Sequence, residues 1–191
     1  SEGAQVRTSA MPDGAYFNDR QIITLSTNNI GDATTIGLWP NDVFRNIEVG
    51  NILTVDFDSL LLSVISVKNT EAKALVVNGG SVGSNKAVTI FPSSKLPPLS
   101  QKDCNAIKIG LENGVKDFAL SFTNSATDVK KMRKLVGNDA RIISKIESRS
   151  GVRNLDEILI LADAILIDRG DLSREVPIEN IPTLQKMIIK K

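Results

Sequence analysis

The hydrophobic pattern changes its period once along the chain, and the change falls at a proline-rich stretch. Residues 20–95 contain short apolar and β-branched runs separated by turn-forming residues, a pattern typical of β-strands. In residues 98–191, short apolar runs alternate with segments whose apolar side chains recur every three or four positions, as in amphipathic helices. The sequence therefore predicts an all-β part followed by an α/β part, with the boundary in residues 91–98, which hold three prolines.

The first part is expected to be entirely β. Two of its apolar runs are separated by a short turn at residues 68–71, which indicates a hairpin. A glycine-rich segment, residues 78–84, follows this hairpin and permits backbone conformations with positive φ. Several short strands at close spacing are typical of a small barrel or a sandwich, and the pattern leaves both open. The predicted strands cover residues 21–25, 52–56, 60–67 and 72–77.

The second part is expected to alternate strands with helices. Ser100 and Asp103 form a capping pair that predicts a helix start, and Gly137 predicts the end of the next helix. This order implies parallel strands joined by right-handed crossovers. About three βα units are present, which fits part of a (β/α)₈ barrel or of an open doubly wound sheet. The predicted strands cover residues 118–122, 142–147 and 164–168, and the predicted helices cover residues 100–114, 127–137, 152–162 and 181–190.

The composition excludes several kinds of site. Histidine is absent and Cys104 is the only cysteine, which rules out a Ser-His-Asp triad, an imidazole-bound zinc and an internal disulfide. A single thiol suits a reducing compartment. The net charge is +1 and aromatic residues make up 4%, which argues against a nucleic-acid or membrane partner, and we expect no signal peptide. Chemistry must then use Lys, Arg, Asp, Glu, Ser or Thr, with carboxylate-bound Mg²⁺ as the natural metal candidate.

Two polar clusters follow consecutive predicted strands of the second part. Lys145 and Glu147 are two residues apart on one strand and point to the same face, while Gly170 and Asp171 follow the next strand. Because parallel α/β domains bind ligands at the carboxyl ends of their strands, these groups are candidates for an anion-binding lysine beside metal-binding carboxylates. Gly170 would let backbone N–H groups approach a small anion. Taken alone, each cluster is explained equally well by a structural role, a strand-end salt bridge for the first and a capped turn for the second. Two such clusters on consecutive strands favour the functional interpretation.

Residues 140–152, Ala-Arg-Ile-Ile-Ser-Lys-Ile-Glu-Ser-Arg-Ser-Gly-Val, resemble the active-site signature of the pyruvate kinases, in which the lysine and the glutamate are catalytic. The similarity covers nearly the whole chain and is weakest over residues 9–50. Residues 78–86 resemble the glycine-rich segment of the family's lid domain, and residues 96–103 resemble its return to the catalytic barrel. Further segments in the family's order and spacing are residues 156–159, 163, 169–172, 175–177 and 185–187.

The resemblance implies a fold for each part of the chain. Residues 1–8 would be the end of a strand of the catalytic (β/α)₈ TIM barrel, and residues 9–94 would be an inserted small all-β barrel, the lid domain. Residues 95–191 would then be a partial TIM barrel of about three βα units. The chain is accordingly expected to be an internal piece of a longer protein, without the first strands of the catalytic barrel and without the family's regulatory domain.

The resemblance also implies a function, which is phosphoryl transfer between phosphoenolpyruvate and ADP to give pyruvate and ATP. This reaction would be a step of glycolysis in the cytoplasm. The parent protein would be a homo-oligomer, namely a tetramer. Lys145 would be the catalytic residue, and Glu147 and Asp171 would hold the cofactor Mg²⁺. A K⁺ requirement stays open, because Gln5 fits neither of the family's two common choices. The resemblance also implies which residues contact the substrate, namely Lys145, Gly170, Asp171 and Ser121. Ser121 would lie near the family's monovalent-cation site. Arg7 and Lys86 would contact the nucleotide phosphates.

Some positions depart from the family pattern. Asp168 stands where the family has a small alanine, and it adds a carboxylate beside the anion site. Residues 56–58, Asp-Phe-Asp, replace a lid sequence that carries a turn glycine.

Two functions therefore stay open. One is an enzyme fragment that is inactive alone, which the retained lysine and acids favour; the other is a non-catalytic pyruvate-kinase-like module that binds ligands or partners within a larger protein.

Overall fold

The computed structural model describes residues 1–57, 59–92 and 96–191. They form two compact units. The first is Gln5–Leu96, here called the β unit, and the second is Ser1–Ala4 together with Pro97–Lys191, here called the α/β unit. Within the described residues, no helix has both the length and the apolar composition that crossing a bilayer requires.

The boundaries of these units differ from the expected ones. The resemblance assigns residues 1–8 to the catalytic barrel, but only Ser1–Ala4 belongs to the α/β unit. Val6–Thr8 pairs instead with two strands of the β unit, which satisfy its backbone hydrogen-bonding groups. The expected boundary between residues 94 and 95 lies outside the described residues, as does Asp58.

The β unit is built of short strands that close into a barrel. They are β1 (Val6–Thr8), β2 (Tyr16–Phe17), β3 (Ile22–Ser26), β4 (Thr35–Trp39), β5 (Ile52–Val55), β6 (Leu60–Lys68), β7 (Glu71–Asn78), β8 (Gly80–Ser81) and β9 (Ala87–Phe91), with a 3₁₀ helix at Asn41–Arg45. The barrel order is β1-β4-β3-β7-β6-β5-β9, closed by antiparallel pairing of β9 with β1, while β2 and β8 form a separate ribbon. The predicted small all-β barrel is confirmed, and the sandwich is excluded.

Alternation along the strands fills the barrel with apolar side chains. On β6, Leu60, Leu62 and Val64 are buried while the residues between them are partly exposed, as a strand with one face toward a core requires. β6 and β7 form the predicted hairpin. A glycine is needed at Gly80, because a Cβ there would lie 1.6 Å from the backbone oxygen of Ser59.

The α/β unit combines helices with a small parallel sheet. Its elements are α1 (Gln101–Glu112), β10 (Asp117–Leu120), α2 (Ala126–Val136), β11 (Arg141–Ile146), α3 (Arg149–Arg153), α4 (Leu155–Leu159), β12 (Ala164–Ile167), α5 (Arg169–Leu172) and α6 (Ile181–Ile189), with a 3₁₀ turn at Ile178–Asn180. The sheet order is β10-β11-β12, with both pairs parallel. The predicted alternation of strands and helices is therefore present.

The two longest helices begin at capping boxes. The Asp103 N–H donates to Ser100 Oγ at 3.0 Å, and the Ser100 N–H donates to Asp103 Oδ2 at 2.9 Å, as the sequence predicts for α1. At α2 the Ser125 N–H donates to Asp128 Oδ2 at 2.9 Å. Each box satisfies backbone donors that the first turn of a helix leaves without a partner.

The expected single helix over residues 152–162 is wrong. The structure has two short helices, α3 and α4, joined at Asn154, whose φ of −98° and ψ of 18° depart from helical values. The Asn154 side-chain amide donates to the backbone oxygen of Asn124 at 2.8 Å. The break therefore ties this helical segment to the loop that follows β10.

One face of the sheet is covered by helices. Ile142 and Ile146 of β11 are fully buried in one cluster with Met132 of α2 and Ile158 of α4. Lys145 alternates with them along β11 and is only partly buried. The fold thus directs Lys145 to the face of the sheet opposite the helical layer.

Asp163 joins the start of β12 to the start of β11. The Ile142 N–H donates to Asp163 Oδ2 at 2.7 Å, and the same oxygen pairs with the Arg133 guanidinium. Arg133 also donates to the backbone oxygens of Gly137 and Ala140. The Ile142 N–H and the Arg133 side chain lower the pKa of Asp163 below its ordinary 3.8.

We predict that Asp163→Asn makes the α/β unit less stable by about 1 kcal/mol at neutral pH, a value kept small because the site is partly exposed. Since the folded-state pKa is depressed, this stability is complete above 3.8 and is lost as pH falls through the folded value. Urea unfolding followed by far-ultraviolet circular dichroism should show a smaller acid-dependent loss for the variant than for the wild type. Asp139→Asn, at an exposed acid of the same unit, is the matched control, and equal acid dependence in all three proteins would contradict the assignment.

Candidate active site

The carboxyl ends of the three parallel strands carry the polar groups of the site. β11 continues directly into Glu147, β12 into Asp168, and β10 into Ser121 and Phe122. In the register of β11 and β12, Lys145 lies opposite Leu166. Because all three strands run in the same direction, these segments all follow the carboxyl ends of the strands, where α/β domains bind ligands.

Lys145 is held between two carboxylates. Its Nζ lies 2.7 Å from Glu147 Oε1 and 3.3 Å from Asp168 Oδ2. The first contact follows from strand geometry, which places residues two apart on the same face. The second crosses from β11 to the end of β12. The sequence predicted the lysine and the glutamate as partners, and it placed Asp168 nearby without foreseeing this ion pair.

Glu147 is the most deeply buried charged group of the site, with 1% of its side chain exposed. Its Oε2 accepts a hydrogen bond from the Phe122 N–H at 2.5 Å. Phe122 has a φ of +49°, a left-handed conformation that is costly for an aromatic residue, and this turn after β10 presents the N–H to Glu147. Apart from the close contact with Lys145, Glu147 Oε1 accepts no hydrogen bond from the described residues.

Asp171 lies on α5 and completes the group of acids. Glu147, Asp168 and Asp171 each offer a carboxylate oxygen, and these oxygens lie within 4.8 Å of one another. The structure therefore brings Lys145, Glu147 and Asp171 together, as the sequence predicted. Asp168 joins them as a third acid.

Arg174 is a member of the site that sequence reasoning missed. Its guanidinium lies 2.9 Å from Asp171 Oδ1 and stands 5.5 Å from the centroid of the Phe122 ring. The side chain is only 7% exposed. A cation three residues after Asp171 was the available signal, because that spacing brings the two side chains together on a helical turn.

The charges of the cluster shift one another's titration. Burial alone would lower the pKa of Lys145, but contact with Glu147 and Asp168 outweighs it and raises the pKa above the ordinary 10.5. Burial, together with the charge of Asp171, raises the pKa of Glu147 above 4.5 against the opposing effect of Lys145 and the Phe122 N–H. Burial also acts upward on Asp168, yet the Asp171 amide and Lys145 lower its pKa below 3.8. Lys145 is therefore a cation at neutral pH.

The carboxylates suit a small hard cation. Mg²⁺ takes oxygen ligands, and proteins usually supply it with one or two carboxylates. Glu147 Oε1 has bonding capacity left beyond its contact with Lys145, and Asp171 lies within reach of the same point. The residues present thus fit Mg²⁺.

One of the two predicted anion-binding amides, that of Asp171, is bonded to a side chain of the protein. The Asp171 N–H donates to Asp168 Oδ1 at 3.3 Å, so that Asp168 caps the short helix α5. Gly170 is not required by crowding, because a Cβ there would meet only Asp168 Oδ1 at 3.5 Å, an ordinary contact.

Ser121 is bonded to the start of the chain. Its Oγ donates to the backbone oxygen of Ser1 at 2.7 Å, and its N–H donates to Ser1 Oγ at 3.0 Å. A Cβ on Gly3 would lie 2.8 Å from the Ser121 Cβ, so Gly3 is needed for this close packing. The recorded bonds of Ser121 are thus to Ser1 and not to the charged cluster.

Arg7 and Lys86 belong to the β unit. An Arg7 Nη donates to the backbone oxygen of Asn85 at 2.8 Å, and Lys86 Nζ lies 2.9 Å from Asp56 Oδ2. β1 and β9 pair so that Arg7 lies opposite Ala87, which brings the two basic residues to neighbouring positions of the barrel wall. Asp56, from the segment that departs from the family pattern, therefore neutralises Lys86.

Comparison with known proteins places the chain in a family. The family model described as the barrel domain of pyruvate kinase matches residues 1–191, the whole chain. Pyruvate kinase of Thermococcus litoralis is 38% identical over 175 residues, which cover 88% of this chain and 37% of the relative. Pyruvate kinase of Clostridium perfringens is 34% identical over 199 residues, covering 100% of this chain and 42% of the relative.

A plant relative gives the same result. Plastidial pyruvate kinase 3 of Arabidopsis thaliana is 31% identical over 196 residues, which cover 100% of this chain and 34% of the relative. The chain spans between 34% and 42% of the length of these three relatives. With a family model that matches from the first residue to the last, the chain belongs to the pyruvate kinase family.

Proposed function

We propose that a protein containing this chain is a pyruvate kinase, which transfers a phosphoryl group between phosphoenolpyruvate and ADP with Mg²⁺ as cofactor. The observation that carries this proposal is the convergence of Lys145, Glu147 and Asp171 at the carboxyl edge of a parallel sheet. The β unit would be the lid, and the α/β unit would be part of a (β/α)₈ catalytic barrel. The names of the similar proteins support the proposal, although the chain covers less than half of each.

Lys145 would act as the catalytic residue by stabilising negative charge. It is a cation at neutral pH because two carboxylates raise its pKa, and it lies on the free face of the sheet. In phosphoryl transfer the protein contributes mainly positioning and charge stabilisation. A lysine on a strand beside the buried carboxylate of Glu147 meets both needs for the transferring phosphoryl group and for the enolate.

Glu147 and Asp171 would hold Mg²⁺. The bound ion would supply Lewis-acid neutralisation of the phosphoryl and enolate oxygens. Glu147 is fixed by the Phe122 N–H, and Asp171 is fixed by Arg174. Arg174 is in this account a positioning residue, because it contacts the carboxylate and not the reacting atoms.

Further contacts complete the proposal. The backbone N–H groups of Gly170 and Asp171 would bind the substrate carboxylate, and Ser121 would lie near a K⁺ site. Arg7 and Lys86 of the β unit would face the phosphates of ADP or ATP.

The reaction would be a step of glycolysis in the cytoplasm, and the parent protein would be a homotetramer. The non-catalytic module is not favoured, since the relatives described above are all named as pyruvate kinases.

We predict that the 191-residue chain binds Mn²⁺, a paramagnetic substitute for Mg²⁺, through Glu147 and Asp171. Glu147→Gln and Asp171→Asn should each weaken binding by at least about tenfold, because each removes a charged oxygen ligand. Loss of the free-ion signal in electron paramagnetic resonance measures the affinity. Glu157→Gln, at an exposed acid of α4, should bind like the wild type, and equal affinities in all four proteins would refute the metal assignment.

We predict that the 191-residue chain alone forms no pyruvate from phosphoenolpyruvate and ADP above the level of its Lys145→Met variant. About three βα units leave most of a (β/α)₈ barrel unbuilt, so further substrate contacts and exclusion of water are missing. A coupled pyruvate assay at high protein concentration measures this. A longer protein that contains this chain and a complete barrel is the positive control and should turn over. Turnover by the short chain that disappears in Lys145→Met would show that the missing strands are dispensable.

A further inference from the structure

Asp168 makes contacts that the proposed function assigns to the substrate. Its Oδ2 lies 3.3 Å from Lys145 Nζ, and its Oδ1 accepts the Asp171 N–H at 3.3 Å. Lys145 is the proposed partner of the substrate's negative charge, and the Asp171 amide is a proposed partner of its carboxylate. We propose that the Asp168 carboxylate is an internal competitor of the substrate, whose negatively charged groups must displace it from the Lys145 ammonium and from the Asp171 N–H before binding. This inference rests on the proposed function of the same site.

The geometry permits such displacement. The Asp168 backbone is held at the end of β12, where its N–H donates to the Ile146 backbone oxygen at 3.3 Å. The side chain is 33% exposed, and both of its contacts are longer than the usual 2.7–2.9 Å of charge-assisted hydrogen bonds. Rotation of the side chain toward solvent would therefore free both donors without moving the strand or the lysine.

The charge of the cluster reinforces the competition. Lys145 and Arg174 carry two positive charges, while Glu147, Asp168 and Asp171 carry three negative ones, which leaves these five side chains with a net charge of −1. Without Asp168 the same cluster would be neutral. The carboxylate thus both occupies the donors and adds a negative charge where an anionic ligand would bind.

Two variants remove the charge of Asp168, one without and one with a side-chain oxygen in its place. Asp168→Ala removes the blocking side chain and its charge together. Asp168→Asn keeps a side-chain oxygen able to cap α5 but removes the charge, so a loss of folding in the alanine variant does not end the test. Asp139→Ala removes one exposed negative charge from the same unit and is the matched control for net charge.

The probe is oxalate, a planar dicarboxylate that resembles the enolate of pyruvate, titrated calorimetrically into the 191-residue chain at saturating Mn²⁺. We expect oxalate to bind about tenfold more tightly to Asp168→Ala and Asp168→Asn than to the wild type and to Asp139→Ala. A factor of about ten corresponds to the free energy of one charge-assisted contact of modest strength, which the Asp168 carboxylate no longer makes in these variants. The Mn²⁺ affinity measured without oxalate should change by less than about threefold in these variants, because Asp168 is not one of the proposed metal ligands.

Three outcomes would count against the proposal, and they differ from one another. Oxalate binding that is unchanged or weaker in both Asp168 variants, with Mn²⁺ binding intact, overturns the competitor role alone. A loss of Mn²⁺ affinity of about tenfold or more in Asp168→Ala identifies Asp168 as a metal ligand and overturns it as well. Absence of any Mn²⁺ binding that depends on Glu147 overturns the proposed function, and this inference with it.

Discussion

The site depends on one buried carboxylate, that of Glu147. Burying an ionised group is costly unless charge and hydrogen bonds compensate for it, and here the Phe122 N–H and the Lys145 ammonium do so. To supply that N–H, the chain after β10 adopts a left-handed conformation at Phe122. Through these two contacts Glu147 connects the loop after β10 with the lysine of β11.

The same carboxylates that would hold a metal are already paired with internal cations. Lys145 contacts Glu147 and Asp168, and Arg174 contacts Asp171. Any divalent cation that binds between these acids competes with the lysine and the arginine for the same oxygens, which limits its affinity. In return, the ion pairs hold the acids in place before a ligand arrives, and preorganised groups lose less entropy on binding.

Local patterns predicted the framework of this site, whereas its contacts required tertiary structure. The strand period placed Lys145 and Glu147 on one face, and the capping pair at Ser100 and Asp103 fixed the start of α1. The position of Asp171 just after the next strand made it a candidate carboxylate, and resemblance to a family supported the same role. The role of Phe122 could not be read from the sequence, because its N–H bonds to Glu147, which is distant along the chain. Arg174 was missed although it lies only three residues after its partner Asp171. The predicted helix over residues 152–162 failed because Asn154 bonds to the β10 loop, a contact that helical periodicity does not reveal.

The most direct test of the account is the position of a bound metal in crystals of the 191-residue chain grown with saturating Mn²⁺. Anomalous scattering locates the ion independently of any assumption about its ligands. We expect a single strong peak at coordinating distance from both Glu147 and Asp171, with the Lys145 ammonium beside it. A peak only at other acids, or no peak at this edge of the sheet while Lys145 and Arg174 keep their ion pairs, would contradict it.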